Sequence, residues 1–349
     1  LGKRKGEYTI IHPNDHVNMS QSSNDTFPTA MRIAALMRLQ RLYPTLKMLA
    51  SSFYKKGRAF DHIIKYARTH LQDAVPIRLG QEFSAYERTL ERCLLDIQRA
   101  AENLRELGIG GTAAGTGINT HPRYQKLVVQ HLRKLTGLTL APSDNLVYAM
   151  QSQQAIAGIS SAIKNTAIEL SRIAHDLILL SSGPNTGLGE LTLPAAQPGS
   201  SIMPGKVNPS ILECARMVCF HVMGADHTIS LAAQSGELDL NVYMPLMAYE
   251  LLFSIEILEN AVRIMDELCV RGIRANKAIC EAYVLKSPSL VTALNPIVGY
   301  GAAAEIAKEF VKTGRSIEEI VIKKGILTKH ELKKILDPKK LTEPGIAKK

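Results

Sequence analysis

Long stretches with the periodicity of an α-helix are the feature that most limits how this chain can fold. Apolar residues recur at helical spacing over about residues 144–180, 209–233 and 242–269. The first stretch, capped by Ser143, would be about 55 Å long at about 1.5 Å per residue. A helix of that length needs partners along its whole extent. The pattern therefore predicts an all-α bundle of long helices and favours association between subunits.

Composition agrees with a helical, aliphatic core. Hydrophobic residues make up 46% of the 349 residues, aromatic residues only 5%, and tryptophan is absent. We expect two or three domains, no signal peptide, and no apolar run of the roughly 18–20 residues that cross a bilayer. The cysteines are odd in number and lack zinc-type spacing, which predicts reduced thiols in a cytoplasmic protein. They are Cys93, Cys214, Cys219, Cys269 and Cys280.

The formal net charge of +10 raises the question of polyanionic partners. The cations are scattered, apart from clusters near the two ends of the chain, and no basic patch with interleaved aromatic residues is present. This distribution favours a solvated surface and predicts neither a nucleic-acid site nor a membrane site. A positive field would also steer a small dianion toward its binding site.

Residues 199–209, G-S-S-I-M-P-G-K-V-N-P, form the first of three polar segments. Pro204 and Gly205 would interrupt a regular helix, so this segment is predicted to be a loop. By composition alone, a Gly/Pro-rich turn is the favoured interpretation. The serine, lysine and asparagine side chains are nevertheless of the kinds that bind a carboxylate and move a proton.

The second polar segment, residues 12–25, is rich in turn-forming side chains. A helix is predicted from Pro28 to about residue 54. The segment's last residues before that helix are Ser22, Ser23 and Asn24. They either cap the helix or use its free N–H groups as part of an anion site, and position alone does not decide between the two.

The third polar segment, residues 67–83, is partly strand-like and leads into a helix predicted over about residues 81–107. It contains Thr69 and His70, and a lone histidine is more often structural than catalytic. The Gly/Thr-rich loop that follows, residues 108–119, has no nucleotide-binding pattern.

The tail after about residue 273 has short, well-punctuated helices. Ser316 with Glu319, and Thr328 with Glu331, have the spacing of capping boxes. We therefore predict a central long-helix domain over residues 1–272, which carries the three polar segments, and a small C-terminal helical domain over residues 273–349.

Taken together, the three polar segments resemble the conserved regions of the fumarase/aspartase superfamily. G-S-S-I-M-P-G-K-V-N-P is that family's signature, and H-V-N-M-S-Q-S-S-N-D and R-T-H-L-Q-D-A-V-P-I-R-L-G-Q-E-F are similar to its other two regions, in the same order. The resemblance implies a mostly α-helical homotetramer with a central bundle of long helices. It also implies active sites assembled from three subunits, a small dicarboxylate substrate, and no cofactor or metal.

The resemblance further implies a reversible anti elimination that yields fumarate. Ser200 would be the general base that removes the Cβ proton, and Lys206 and Asn208, with Ser201, would bind and stabilise the resulting aci-carboxylate. Substrate-binding groups on the other two segments would be Ser22, Ser23, Asn24 and Thr69, with His70 as a further catalytic residue.

Two branches of the superfamily compete for this sequence. The H-P-N-D run at residues 12–15, Ser23, and G-G-T-A from Gly110 are similar to class II fumarases. Gln197, however, stands where fumarases carry a glutamate that partners the catalytic histidine. Ammonium leaves without further protonation, whereas hydroxide needs an acid, so Gln197 favours deamination of aspartate. A non-catalytic structural homologue is the third alternative.

The sequence also departs from the family pattern. Family chains are longer, and we expect their small N-terminal domain to have no counterpart within these residues. Asn185 stands where the family usually has arginine, and Asp239 and Met244 stand where it usually has glutamate. These departures concern the activity of this chain more than its membership.

Overall fold

The computed structural model describes residues 1–199, 202–337 and 340–346. It confirms the predicted all-α fold, with long helices and only short strands. The long and medium helices are α1 Ser23–Phe60, α2 Leu79–Glu102, α3 Tyr124–Thr136, α4 Leu146–Gln151, α5 Gln154–Leu180, α6 Ser210–Gln234 and α7 Met244–Leu268. The C-terminal helices are α8 Lys277–Lys286, α9 Asn295–Thr313, α10 Ile317–Lys323 and α11 Lys329–Ile335.

Among the described residues, the strands form three two-stranded pairs. An antiparallel hairpin joins β1 Ile64–Thr69 to β2 Gln72–Arg78. Two minor pairs are parallel β3 Glu106–Leu107 with β4 Ala141–Pro142, and antiparallel β5 Leu191–Thr192 with β6 Arg274–Ala275. The hairpin confirms the strand-like character predicted for the third polar segment.

The chain divides into two compact units. The first comprises Leu1–Met48, Thr89–Ala174 and Ile211–Met265, and the second comprises Leu49–Arg88, His175–Ser210 and Asp266–Lys349. The predicted division at residue 273 stays a prediction.

The first unit is built on helices whose buried residues recur every three or four positions, as one face of a helix requires. On α6 these residues are Leu212, Ala215, Cys219, Val222, Ala225, Asp226, Ile229 and Ala232. Two salt bridges join α1 to α7, from Arg38 to Glu256 at 3.0 Å and from Arg41 to Glu259 at 3.4 Å. The ends of α6 and α7 lie within two residues of those predicted.

Several predicted helix boundaries were wrong. α1 ends at Phe60 rather than at about residue 54, and α2 ends at Glu102 rather than at about residue 107. The helix expected from Pro28 begins at Ser23, because Ser22 caps it and Pro28 is accommodated within it. The helix expected over residues 144–180 is divided into α4 and α5. Ser152 is extended there (φ −92°, ψ 127°), and its Oγ accepts a hydrogen bond from the Gln154 N–H, an interaction that competes with helical pairing. Asn145, not Ser143, caps α4 by accepting from the Tyr148 N–H at 2.9 Å.

The C-terminal part of the second unit has its own hydrophobic cluster. Both predicted capping boxes are present, at the starts of α10 and α11. The stretch Pro288–Thr313 is the one described helix whose length and composition would allow it to cross a membrane, which the sequence did not lead us to expect. It is interrupted at Gly299, and several of its residues belong to the cluster. The buried members are Val291, Leu294, Ala303, Ile306, Ile317, Ile320, Val321, Leu327, Leu332 and Ile335.

Candidate active site

The second polar segment begins α1. The Ser22 Oγ accepts a hydrogen bond from the Asn24 N–H at 3.2 Å, so Ser22 does cap the helix. The Asn24 Nδ2 donates to the carbonyl of Ala113 at 2.9 Å, which connects the segment to the Gly/Thr-rich loop of the same unit. The capping role takes up one hydroxyl and leaves Ser23 exposed at the helix N-terminus.

A buried carboxylate that the sequence interpretation overlooked fixes this arrangement. Asp25 accepts three backbone hydrogen bonds at 3.0 Å each, from Ser22, Gly110 and Thr112. Thr112 has a positive φ of 57°, a conformation that an L-residue other than glycine rarely adopts. The sequence signal was available, because Asp25 is the last residue of S-S-N-D, but its partners are distant in the chain.

Thr69 and His70 lie at the turn of the hairpin. Thr69 pairs with Gln72, so the turn has two residues, His70 and Leu71, with φ of 56° and 58°. Such a turn favours glycine or asparagine, so Leu71 adopts this conformation at a steric cost. Leu71 is 70% exposed. Steric strain of this kind often accompanies a functional site. The His70 side chain is exposed and has no hydrogen bond or ion pair with any described residue.

Four charged side chains of the second unit form a cluster at this hairpin: Lys65 and Arg68 of β1, with Glu82 and Glu190. Lys65, only 1% exposed, contacts Glu82 and Glu190, each at 2.9 Å. Arg68 binds the fully buried Glu190 through two hydrogen bonds of 2.8 and 3.1 Å. Burial raises the pKa of the Glu82 carboxyl above its ordinary value, and Lys65 opposes that shift.

The described part of the first polar segment is a loop, as predicted. Ser200 and Ser201 lie outside the described residues. A Cβ on Gly199 would lie 2.7 Å from the Lys206 carbonyl oxygen, so the close approach of the two ends of the loop requires glycine there. The Lys206 N–H donates to the Met203 carbonyl at 3.2 Å.

Two candidate site residues of this loop, Lys206 and Asn208, lie within the described residues. Lys206 is exposed and Asn208 is half-buried, and neither side chain makes a hydrogen bond or ion pair with a described residue. Ile202 is 82% exposed. No hydrogen bond or ion pair between described residues joins the side chain of Lys206 or Asn208 to Thr69 or His70.

The residues that depart from the family pattern occupy different environments. Gln197 and Asn185 are exposed. Asp239 accepts a hydrogen bond from Gln151 at 3.1 Å, and Met244 is buried as the first residue of α7. Within the described ranges, no group of three or more His, Cys, Asp or Glu side chains is arranged to hold a metal ion.

Comparison with known proteins gives matches over the whole chain. A family model described as "Lyase" matches residues 1–224, and one described as "Fumarase C C-terminus" matches residues 290–343. Proteins named aspartate ammonia-lyase from Bacillus subtilis and Helicobacter pylori are each 48% identical over 100% of this chain, which covers 74% and 75% of their lengths. The Escherichia coli K12 protein of the same name is 44% identical over 99% of the chain, which covers 72% of its length.

Solved structures agree. A structure described as fumarate lyase:delta crystallin from Brucella melitensis, bound to cobalt, has a TM-score of 0.95 and 47% identity, covering 99% of this chain and 75% of its own. A class II fumarase from Schistosoma mansoni has a TM-score of 0.92 and 38% identity, covering 98% of this chain and 75% of its own.

Proposed function

The chain belongs to the fumarase/aspartase superfamily of lyases, and from that premise we propose that it is an aspartate ammonia-lyase. The reaction is the reversible anti elimination of ammonia from L-aspartate to give fumarate. The observation that carries this proposal is the 44–48% identity to aspartate ammonia-lyases over at least 99% of the chain. Gln197, which is more consistent with ammonia than with hydroxide as the leaving group, supports the same choice.

In this proposal the loop at residues 199–209 carries the proton transfer. Ser200 removes the Cβ proton of L-aspartate. A serine alkoxide is a demanding base to form, so it needs stabilisation by N–H groups and by the ammonium of Lys206. Loss of the proton places a second negative charge on the adjacent carboxylate. Lys206 and Asn208, whose side chains have no partner among the described residues, are available to stabilise that aci-carboxylate, with Ser201 as a further contact.

The other two segments hold the substrate. Ser22, Ser23 and Asn24 bind a carboxylate or the amino group at the N-terminus of α1, where the helix dipole favours an anion. Thr69 and His70 bind the second carboxylate from the strained hairpin turn, and His70 also takes part in proton transfer.

We further propose that the protein is a cytoplasmic homotetramer, with each active site built from three subunits. Two observations support association. Ser23, His70 and Lys206 are exposed, and large apolar residues are exposed on α6 and α7, where water alone is a poor partner. The exposed apolar residues of these helices include Met217, Phe220, Leu231, Leu246, Tyr249 and Phe253.

Class II fumarase activity is the second candidate. The observation that favours it is the H-P-N-D run, which forms a one-turn π-helix, Pro13–Val17. His12 caps this turn by accepting hydrogen bonds from the N–H groups of Asn14 and Asp15 at 3.2 and 3.3 Å. A 38% identical class II fumarase adds to it. Against it stands Gln197.

One assay separates the candidates. The appearance of fumarate is followed by its ultraviolet absorbance, with L-aspartate or L-malate as the sole substrate and Ser200→Ala as the control. We expect turnover of L-aspartate that Ser200→Ala abolishes. Turnover of L-malate but not of L-aspartate would refute the aspartate ammonia-lyase proposal and favour class II fumarase activity. Turnover of neither substrate, with wild type and Ser200→Ala equally inert, would favour a structural homologue.

A further inference from the structure

A cluster of four charged side chains connects the hairpin that carries Thr69 and His70 to the chain that leads into the loop at residues 199–209. Arg68 directly precedes Thr69, and its guanidinium holds both oxygens of the Glu190 carboxylate. Lys65, three residues earlier on the same strand, contacts the same carboxylate at 2.9 Å. One buried side chain therefore receives both cations of β1.

The backbone around Glu190 is fixed as firmly as its side chain. The Glu190 carbonyl accepts a hydrogen bond from the Asn276 N–H at 2.9 Å. The Asn276 side chain donates to the Gly189 carbonyl at 2.6 Å and accepts from the Thr192 hydroxyl at 3.0 Å. Tyr283 donates to the Leu188 carbonyl at 3.0 Å. β5 follows at once, and residue 199 is reached seven residues after Thr192.

The stability of the fold alone does not require charged residues in this cluster. Removing ions from water is costly, and well-packed apolar residues often replace a buried ion pair without loss of stability. A two-point guanidinium–carboxylate bond, by contrast, fixes distance and angle together. The Arg68 guanidinium also lies over the Tyr283 ring, 5.6 Å from its centroid, which restricts it further.

We propose that Arg68 and Glu190 are positioning residues for the lyase reaction. They hold the His70 turn in a fixed relation to the chain segment that enters the catalytic loop, and Lys65 completes the charge balance. This inference rests on the proposed function. Neither residue touches substrate, and both act through Thr69, His70 and the loop.

The test uses a matched pair of substitutions in the 349-residue chain. Arg68→Lys keeps the positive charge but loses the two-point bond. Arg78→Lys is the control, because Arg78 lies at the other end of the same hairpin and binds Asp61 at 2.9 Å. The two arginine side chains are 15% and 17% exposed, so they are equally buried.

The measurements are kcat and KM for L-aspartate, the pH–rate profile, and the apparent Tm. We expect Arg68→Lys to lower kcat/KM at least tenfold and to shift the pH–rate profile, because a small displacement of a catalytic group is costly. Arg78→Lys should stay within about twofold of the wild-type kcat/KM, with a similar change in Tm. Equal kinetic effects of the two substitutions would overturn the positioning role and leave a structural one.

Two further measurements keep the inference testable. If Arg68→Lys does not fold, Glu190→Gln, which retains the shape of the carboxylate, takes its place with the same expectation. If the wild-type chain turns over neither L-aspartate nor L-malate, the proposed function fails. The positioning claim is then judged by calorimetric binding of succinate: weaker binding in Arg68→Lys than in Arg78→Lys supports it, and equal or absent binding refutes it.

Discussion

Replacing Asp25 with asparagine is the sharpest test of how the second polar segment is held. The carboxylate is fully buried and accepts hydrogen bonds from three backbone N–H groups at 3.0 Å. Its Oδ1 accepts the hydrogen bond from the Ser22 N–H, and its Oδ2 accepts those from the Gly110 and Thr112 N–H groups. Asparagine has the same shape but only one acceptor oxygen, so it cannot serve both sides.

The magnitude follows from those contacts. In its better orientation, asparagine keeps the bonds to Gly110 and Thr112 and turns its NH₂ group toward the Ser22 N–H. One buried donor is then unpaired, at about 1–3 kcal/mol, and the two remaining bonds lose their charge assistance. Asparagine is neutral, so the variant no longer carries the desolvation cost of a buried charge, and this offsets part of the loss. We therefore expect the free energy of unfolding to fall by about 3 kcal/mol. At about 2.1 cal/mol/K per residue for 349 residues, that lowers Tm by about 4 °C.

The assay compares Tm and steady-state kinetics with those of Asp226→Asn at equal protein concentration. Asp226 is a buried carboxylate of the same unit, bound by Ser160 at 2.7 Å and Lys164 at 2.9 Å, and it lies outside the three polar segments. Both substitutions should lower Tm, but only Asp25→Asn should raise KM for L-aspartate, because only Asp25 fixes Ser22. The reasoning is refuted if Asp25→Asn lowers Tm by less than about 1 °C, or if the two variants have equal KM values for L-aspartate.

Four further predictions concern the loop, the turn and the thiols. Lys206→Met should lower kcat by about 10²–10³-fold, because an electrostatic contact to the aci-carboxylate is lost; a kcat within threefold of wild type would rule that out. Gln197→Glu should shift the pH–rate profile of aspartate deamination, and an unchanged profile would refute its role in the leaving-group step. Leu71→Gly should keep or raise Tm, because glycine adopts positive φ without steric cost, whereas a drop of several degrees would contradict the strain assigned to the turn. Burial raises the pKa values of four thiols to about 11 or 12. The folded state therefore keeps protons that the unfolded state loses near pH 9. The free energy of unfolding should decline as pH rises above 9. Ellman titration of the native protein at pH 8 should therefore detect at most Cys214, and several reactive thiols would contradict the burial of the other four, Cys93, Cys219, Cys269 and Cys280.

The features predicted correctly from the sequence depend on neighbours in the chain. The capping box of Ser316 and Glu319 needs only residues three apart, and the periodicity of α6 is visible in a window of that helix. The break between α4 and α5 was missed because the apolar pattern resumes after only four polar residues, 151–154, a gap that a long helix can also contain. Ser152 decides the break by accepting from the backbone of Gln154, which a periodicity count cannot register.

Asp25 and Glu190, the buried carboxylates that hold the candidate site segments, were missed for a different reason. Asp25 is 85 residues from Gly110, and Glu190 is 122 residues from Arg68. Each carboxylate is a single letter in the sequence, and its importance comes only from partners that the fold brings to it. The candidate site residues of the motifs could be named from a family resemblance, whereas the partners of the buried groups that hold them required coordinates.

The three polar segments thus divide by how they are held. A buried carboxylate holds two of them in different ways: Asp25 accepts backbone N–H groups at the start of α1, and Glu190 binds the Lys65 and Arg68 side chains of the His70 hairpin. For the described residues of the loop at residues 199–209, the corresponding constraints are the close approach of Gly199 to Lys206 and one backbone hydrogen bond. Groups that bind both ground state and transition state gain from a fixed backbone, whereas the proposed contacts of Lys206 and Asn208 to the aci-carboxylate are needed only in the transition state. Substitutions that loosen the two fixed segments should therefore act mainly on KM and kcat/KM, and those in the loop mainly on kcat.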